Sequence, residues 1–367
     1  MAAANENWVE ERRPQFRHEL LGIRRRMLGL SQAELAERAQ ISQASLSKVE
    51  QGLKPVTSGM VEQFGRALNC PSSFFFQAER EYGPPMSAHP MYRKRASVGQ
   101  RVLDKVIAEF NVRIAHVRTL LRSVELEPEL QLPNYDCDDF EGGPEEVANA
   151  VRRAWYLPNG PVASVTECLE RAGCVVMPCD MDHAKIDAAT YRVPGLPPII
   201  FVNTVLPGDR LRFTLAHELG HLVMHGFPCP EMEQQADAFA SAFLMPAADI
   251  APELSGLSLA KAAAMKPIWK VSIGALVYRA SELGAIRTTQ AEYLWKVRAA
   301  KGWSTREPAA FDIPVEQPTL VAGMFEHMLD DSELSVQELG EVLHVHYEEL
   351  QALYKLAPPQ PHLRRVK

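Results

Sequence analysis

Hydrophobic residues recur every three or four positions along most of the chain, which is the spacing of helices that bury one face. In the first eighty residues, two short runs of this kind each follow a serine that can cap a helix. Ser31 has Glu34 three residues later, as in a capping box, and Ser42 precedes the second run. A tight turn separates the runs. This pattern predicts a helix-turn-helix, the layout that places its second helix in the major groove of DNA.

A different pattern follows in the middle of the chain, where short apolar runs replace the helical spacing. We expect strands near 174–177, 188–192 and 199–202, after two helices at 144–155 and 161–172. The last strand leads within a few residues into a long helical run, and we expect it to border a cleft. These elements predict a mostly helical protein with a small β-sheet, that is, an α+β fold.

The helical run after the last strand contains His217-Glu218-x-x-His221. Residues four apart lie on one face of a helix, so both imidazoles can reach one metal ion. Glu218 is turned by about 100° around the axis, which suits it to a water molecule on that metal. Zinc in catalytic sites takes three protein ligands and keeps one position open. The motif therefore predicts a zinc centre in which Glu218 is the general base.

The third zinc ligand should come from the next helical run, which Glu233 opens. Asp237 stands one turn later on the same face and could orient a ligand histidine through its second ring nitrogen. Glu231 is the alternative ligand, although it precedes the predicted start of the helix. Cys229 could occupy the open position of the metal for a time, or it could be an ordinary loop thiol. Tyr191, on an earlier strand, could polarise the scissile carbonyl and support the transition state, or simply pack as a strand aromatic.

The two runs at 212–225 and 233–246, which contain the His217-Glu218 motif and end in Phe-Leu-Met-Pro246, resemble the ImmA/IrrE family of bacterial metallo-endopeptidases. The resemblance spans about residues 145–250 and implies a zincin-like domain. It also implies that the substrate is often a DNA-bound repressor. In such a domain Glu218 is the general base, and one Zn²⁺ per chain is bound by His217, His221 and Glu233.

The helix-turn-helix run resembles the DNA-binding domain of Xre/Cro-type repressors over residues 16–77. The matching strings are Leu-Ser-Gln-x-Glu-Leu-Ala at 30–36 and Ile-Ser-x-x-x-Leu-Ser-Lys-Val-Glu-x-Gly at 41–52. The resemblance implies an all-α, lambda-repressor-like domain that binds a double-stranded DNA operator as a homodimer. It implies that Gln32 contacts the phosphate backbone. The groove-facing residues would be Gln43, Ala44, Ser45, Ser47 and Lys48.

Formal charge is unevenly divided along the chain. Residues 1–122 carry +7 and the remainder carries −14, which gives the total of −7. A basic N-terminal third on an acidic protein supports a nucleic-acid-binding module in that part of the chain. Arg24, Arg25 and Arg26 are expected to support DNA binding there. No apolar run suits a membrane span or a signal peptide, and the six cysteines form no CxxC pair. We therefore expect a cytoplasmic protein with reduced thiols and no membrane partner.

Five parts are predicted along the chain. The long amphipathic helix in the second part is expected to pack on the peptidase domain rather than to form a dimer contact. A helix pair at 258–265 and 272–283 is spaced like a second helix-turn-helix, but we favour packing for it, and 304–318 reads as a Pro-rich linker. The five parts are a helix-turn-helix domain at 16–77, a linker and connecting helix at 78–143, a zinc metallopeptidase domain at 144–250, a helical extension packed on the peptidase at 251–303, and a C-terminal helical hairpin at 304–357.

Together these observations predict a DNA-binding transcriptional regulator that carries a zinc-dependent endopeptidase and cleaves a specific regulatory protein. One alternative is a non-cleaving repressor, or an antitoxin-like autorepressor, that uses the zinc domain as a sensor or scaffold. Another alternative is a housekeeping protease whose helix-turn-helix is vestigial. Salt-insensitive or absent DNA binding would favour the last of these.

Overall fold

The computed structural model describes residues 15–84, 99–181, 184, 186–331 and 334–356. Its contacts divide the chain into two compact units. Unit 1 contains the described parts of 1–83, 99–123 and 326–367, and unit 2 contains those of 84–98 and 124–325. The described residues are mostly helical and contain one small sheet, so the predicted α+β class is confirmed. Part of the predicted linker at 78–143 lies outside the described residues.

The helix-turn-helix in unit 1 has the predicted layout. Ser31 Oγ accepts a hydrogen bond from the Glu34 amide at 3.2 Å, and the Glu34 carboxylate accepts one from the Ser31 amide at 2.6 Å. This capping box starts the second helix, and the apolar faces of the bundle meet at the fully buried Leu35, Leu46 and Phe64. The four helices are α1 (His18–Met27), α2 (Gln32–Arg38), α3 (Gln43–Glu50) and α4 (Ser58–Leu68).

A long helix, α5 (Gln100–Leu120), packs against α1 within unit 1. Phe110 and Ile114 on its apolar stripe are buried. Arg101 Nε also donates to the Gly29 carbonyl, 2.7 Å away, just before α2. The expectation that this helix packs on the peptidase domain is therefore corrected. A helical stripe shows which face is apolar, but it does not show which surface covers that face.

The C-terminal segment completes unit 1 with two further helices, Val336–Val342 and Tyr347–Tyr354. Glu349 on the second of them forms a bidentate ion pair with Arg24 of α1, whose side chain is 1% exposed. Arg24 Nη2 lies 2.6 Å from Glu349 Oε2 and also donates to the Asn69 carbonyl at 2.8 Å. A buried charge pair therefore ties the end of the chain to its first helix.

Unit 2 is built around a three-stranded sheet with the order β1-β3-β2. The strands are β1 (Val175–Cys179), β2 (Ala188–Tyr191) and β3 (Ile199–Asn203). β3 runs parallel to β1 and antiparallel to β2. The strand expected to border the cleft is therefore the central one, and the edges of the described sheet belong to β1 and β2. A single apolar run does not reveal how many neighbours its strand has.

Helices cover this sheet, and two of them carry the histidine motif and the carboxylate run that follows it. These two are α8 (Gly208–Met224) and α9 (Met232–Leu244), which pack closely on each other. The pair spaced like a second helix-turn-helix buries Trp269, Leu276 and Val277 in the core of unit 2. The other α-helices that lie wholly in the described part of unit 2 are α6 (Gly143–Ala154), α7 (Val165–Arg171), α10 (Ala247–Leu254), α11 (Leu259–Trp269), α12 (Ile273–Glu282) and α13 (Thr288–Ala300). A further short helix, Leu320–Glu326, follows the last of these along the chain.

Residues 304–319, here called the strap, cross unit 2 largely without helix or strand. Glu307 of the strap accepts a hydrogen bond from Lys266 Nζ at 2.7 Å, and both side chains are buried. Glu316 forms an ion pair with Arg212, whose side chain is 1% exposed. The prediction of a linker at 304–318 is corrected, because two carboxylates fix this segment to unit 2. Proline content predicts only that the segment lacks regular structure.

Replacing Glu316 by alanine should destabilise unit 2 by about 3 kcal/mol, because it leaves Arg212 as a buried charge without its carboxylate partner. The matched control is Arg306→Gln, which breaks an exposed ion pair within the strap, between Arg306 and Asp312, and should have little effect on stability. Hydrogen–deuterium exchange on the whole chain should accelerate across unit 2 in the first variant alone. Equal exchange in both variants would mean that this charge pair does not stabilise the strap.

Candidate metal centre and nucleic-acid interface

Three ligand side chains converge where α8 crosses α9. His217 and His221 stand one turn apart on α8, and their Nε2 atoms are 3.0 Å from each other. Glu233, in the first turn of α9, has carboxylate oxygens 3.7 Å from His217 Nε2 and 3.5 Å from His221 Nε2. In a tetrahedral zinc site with bonds of about 2.0–2.2 Å, neighbouring ligand atoms lie about 3.3 Å apart. The donor set and its spacing therefore fit Zn²⁺.

The two alternative ligands lie outside this group. Glu231 is the residue just before α9, and its side chain is exposed. Cys229 is half-buried and has its Sγ 3.8 Å from Oε1 of Gln235. Within the described part of the chain, the side chains whose ligand atoms all lie within 4.8 Å of one another are His217, His221 and Glu233.

A neighbouring side chain engages the second ring nitrogen of each histidine. His217 Nδ1 lies 2.8 Å from Asp237 Oδ1, so it donates to the carboxylate and leaves Nε2 as the ligand atom. His221 Nδ1 lies 2.9 Å from His225 Nδ1, and His225 Nε2 lies 2.8 Å from Gln235 Oε1. A metal requires a lone pair on Nε2 of His221, so His221 Nδ1 donates to His225. The other ring nitrogen of His225 then donates to the amide oxygen of Gln235.

Burial and nearby charges shift the pKa values of the two candidate ligand histidines in opposite directions. Burial disfavours the charged form of His217, but the hydrogen bond to Asp237 and the neighbouring carboxylates outweigh it, so the pKa of His217 is raised. Burial, together with positive charge on His217 and His225, lowers the pKa of His221 to about 2. An incoming metal therefore meets a neutral His221 and competes with a proton mainly at His217.

The candidate general base, Glu218, is 4% exposed and lies on the adjacent face of α8. Thr190 on β2 donates from Oγ1 to Glu218 Oε2 at 2.5 Å. Successive strand residues point to opposite faces, so Thr190 and Tyr191 lie on opposite faces of β2. Tyr191 is buried, with its ring edge-on to Phe201 at 5.9 Å between centroids. The strand therefore contacts the candidate base through Thr190.

Sequence reasoning missed three supporting residues: Thr190, His225 and Gln235. His225 gave a signal, because it stands four residues after His221 and so continues the same helical face. Thr190 and Gln235 gave none, since their partners Glu218 and His225 come from other elements. These contacts depend on the packing of β2 and α9 against α8.

Gly220 sets the distance between α8 and α9 at this crossing. A Cβ atom on Gly220 would lie 3.3 Å from Ala236 Cα and 3.1 Å from Phe239 Cδ1, both on α9. Any larger side chain would therefore push α9 outward. The glycine lets α9 approach closely enough for Glu233 to reach the two histidines.

The predicted DNA-contacting surface lies on α3. Two of its serines are half-buried and accept hydrogen bonds: Ser45 from Lys54 Nζ at 2.6 Å and Ser47 from Gln51 Nε2 at 3.2 Å. These bonds hold the serine hydroxyls in fixed orientations. The predicted groove-facing residues that are exposed are Gln43, Ala44 and Lys48.

The arginines expected to support DNA binding are used inside unit 1. Glu50 accepts from Arg25 Nε at 2.6 Å and from Gln32 Nε2 at 2.7 Å, so the predicted phosphate contact Gln32 is also braced by this carboxylate. Arg26 pairs with Glu81 at 2.6 Å, and Arg24 is bound by the C-terminal segment. The expectation for Arg24, Arg25 and Arg26 is corrected, because each guanidinium already has a carboxylate partner.

A helix-turn-helix with exposed groove-facing residues, on one chain with this His-His-Glu cluster, defines a DNA-binding regulator with a protease-like domain. Residues 19–73 match the family model of a helix-turn-helix domain, and residues 169–281 match that of the IrrE N-terminal-like domain, a family of zinc metallopeptidases. The chain thus carries a segment that matches a helix-turn-helix domain and a segment that matches an ImmA/IrrE-type domain, which confirms both resemblances. No curated protein matches it. Within the described residues, no helix is long and apolar enough to cross a membrane.

Replacing Gly220 by valine should lower zinc affinity at least about tenfold, because the added atoms meet Ala236 and Phe239 and move Glu233 away from the histidines. Competition with a zinc-binding dye measures this affinity on the purified full chain. The matched control is Gly226→Ala, whose added atom meets no other heavy atom within 4 Å and should leave zinc affinity unchanged. Wild-type zinc affinity in the Gly220 variant would show that the metal centre tolerates a wider helix crossing.

Proposed function

We propose that this protein is a DNA-binding transcriptional regulator whose IrrE-like domain is a zinc-dependent endopeptidase for a specific regulatory protein. The observation that supports the proposal is the convergence of His217, His221 and Glu233 beside the buried carboxylate of Glu218. The helix-turn-helix on the same chain favours a regulatory role over a digestive one. The proposal includes one Zn²⁺ per chain and a homodimer on a double-stranded operator.

In the proposed reaction, a Zn²⁺ ion held by His217, His221 and Glu233 would act as a Lewis acid. It would polarise a peptide carbonyl and lower the pKa of the attacking water. Glu218 has one oxygen, Oε2, held by the Thr190 hydroxyl. The Glu218 carboxylate takes the proton from the attacking water and passes it to the leaving amine nitrogen. Asp237 and the His225–Gln235 pair keep the two ligand imidazoles oriented with Nε2 toward the centre.

The proposed substrate binds as an extended segment along β2. This strand lies at an edge of the described sheet, and its Thr190 contacts the candidate base Glu218. A peptide that adds to a sheet edge is held by main-chain hydrogen bonds, and pockets for alternate side chains supply its specificity. Such a peptide would pass beside Glu218 with its backbone carbonyls aligned by the strand.

A second candidate function is a non-cleaving repressor, or an antitoxin-like autorepressor, that uses the zinc domain as a sensor or scaffold. The chain topology favours it. The polypeptide leaves unit 1 after residue 123 and returns to it at residue 326, so unit 2 is an insertion in the unit that contains α3. Zinc binding that orders unit 2 can then act on unit 1 through the chain connections between the units without any peptide being cut.

Glu218→Gln separates the two functions. The amide cannot take the proton, so cleavage should fall at least about 100-fold while zinc content and DNA binding stay at wild-type levels. Protein N-termini in cells that express wild-type or variant protein would identify the substrate, and His217→Ala serves as the variant that loses zinc. A regulatory response unchanged by Glu218→Gln would exclude the peptidase proposal and leave the sensor.

DNA readout by α3 can be tested with two exposed residues. Gln43→Ala should weaken operator binding by about 1–3 kcal/mol with little effect on unrelated DNA, because a glutamine amide can bind one adenine through two hydrogen bonds. Lys48→Gln should weaken both and reduce the salt slope by about one. Arg66→Gln on α4 is an exposed control that should change neither. Equal loss on operator and unrelated DNA in the Gln43 variant would contradict base readout.

A further inference from the structure

Unit 2 contains a cavity of about 470 Å³ next to, but separate from, the metal-ligand cluster. Its walls come from α8, α9, α11, α12, α13 and the strap. This volume lies within the range of drug-sized ligand sites, which are mostly apolar and carry a few placed polar groups. The side chains that define its character are Phe213, Met245, Val271, Tyr278, Trp295 and Arg298.

Most of the charged groups lining the cavity already have partners. Lys266 Nζ lies 2.6 Å from Asp209 and 2.7 Å from Glu307, so this ammonium is shared by two carboxylates. Arg306 pairs with Asp312 at 2.8 Å. These groups form the frame of the cavity and are not available to bind a ligand ion without losing a partner.

Arg298 forms a longer ion pair than these cations. Its closest carboxylate contact is Glu307 Oε1 at 3.7 Å from Nη2, which is beyond hydrogen-bond distance, and its buried Nε has no hydrogen-bond partner. The guanidinium lies 5.4 Å from the ring centroid of Trp295. Its other side faces Gly274, where an added Cβ atom would lie 3.3 Å from Nη2. Arg298 is therefore a positioned cation that still has donor capacity.

We infer that this cavity binds an aromatic carboxylate, that is, a planar ring with a carboxylate a few bonds away. The fork of Arg298 matches a carboxylate in geometry and charge. Trp295 and Tyr278, which are large partly exposed aromatic side chains, supply walls for a ring. A phosphate dianion is disfavoured, because the other lining cations, Arg210, Lys266 and Arg306, each lie within hydrogen-bond distance of a carboxylate.

The same chemistry occurs in two sources, a free aromatic acid and the C-terminal aromatic residue of a peptide. Asp237 also lines the cavity, and it lies 2.8 Å from the candidate ligand His217. A peptide end in the cavity would thus lie beside the metal centre, whereas a free acid would act as an effector. The inference does not depend on cleavage, since it concerns binding alone.

Calorimetric titration of the wild-type, full-length protein with indole-3-acetate and with its neutral analogue indole-3-acetamide tests whether the cavity recognises the carboxylate. The acid should bind saturably and at least tenfold more tightly than the amide. Equal binding of the two, or no saturable binding of either up to millimolar concentration, would overturn the inference.

Arg298→Gln should weaken binding of indole-3-acetate at least tenfold and remove the preference over the amide. The matched control is Lys296→Gln on the same helix, an exposed residue outside the cavity, which should bind like wild type. An Arg298 variant that is folded by circular dichroism and keeps wild-type affinity for the acid would refute the assignment.

Two peptides of equal sequence that end in tryptophan, one with a free C-terminus and one amidated, distinguish the sources. Tighter binding of the free peptide than of indole-3-acetate, lost on amidation and in Arg298→Gln, supports a peptide end. Binding of indole-3-acetate with no binding of either peptide supports a free acid. If both peptides bind equally and the small acid does not bind, the inference fails.

Discussion

The close crossing of α8 and α9 at Gly220 is the constraint on which the metal centre depends. α8 alone supplies two imidazoles and the candidate base, which is not a complete donor set for catalytic zinc. α9 supplies the other contacts: Glu233 is the candidate third ligand, Asp237 is bonded to His217, and Gln235 is bonded to His225, which contacts His221. One helix spacing therefore sets all three contacts. This spacing is possible because Gly220 has no Cβ, which would otherwise lie 3.3 Å from the Ala236 Cα of α9.

The parts of this arrangement that sequence reasoning predicted are local. The pair His217 and His221 follows from helical periodicity, and Glu233 follows from a short connection between two helical runs. The contacts that it missed join distant elements. Thr190 reaches Glu218 from a strand, and the strap is fixed by Glu316 rather than left as a linker. Composition and spacing predict an element, but the surface that covers it is decided by the whole fold.

Charge gives a further example of this difference. The basic first third of the chain indicates a DNA-binding module, and the helix-turn-helix is present. However, a count of charges does not show which cations are already paired. Arg24, Arg25 and Arg26 each have a carboxylate partner inside unit 1. Salt-dependent attraction to DNA must then come from other groups, of which exposed Lys48 on α3 is the best placed.

The order of segments in unit 1 links the continuity of the chain through unit 2 to the packing of unit 1. Glu349 reaches Arg24 from the far end of the chain, and Tyr354 lies 2.9 Å from His116 of α5. While the chain is whole, these contacts form within one molecule, at the effective concentration that the connection through unit 2 maintains. Any cut between residues 124 and 325 would make them contacts between two fragments. The two fragments would then be held together only by non-covalent contacts, of which the Arg24–Glu349 ion pair is one. The continuous chain through unit 2 therefore keeps the C-terminal segment at a high local concentration beside α1.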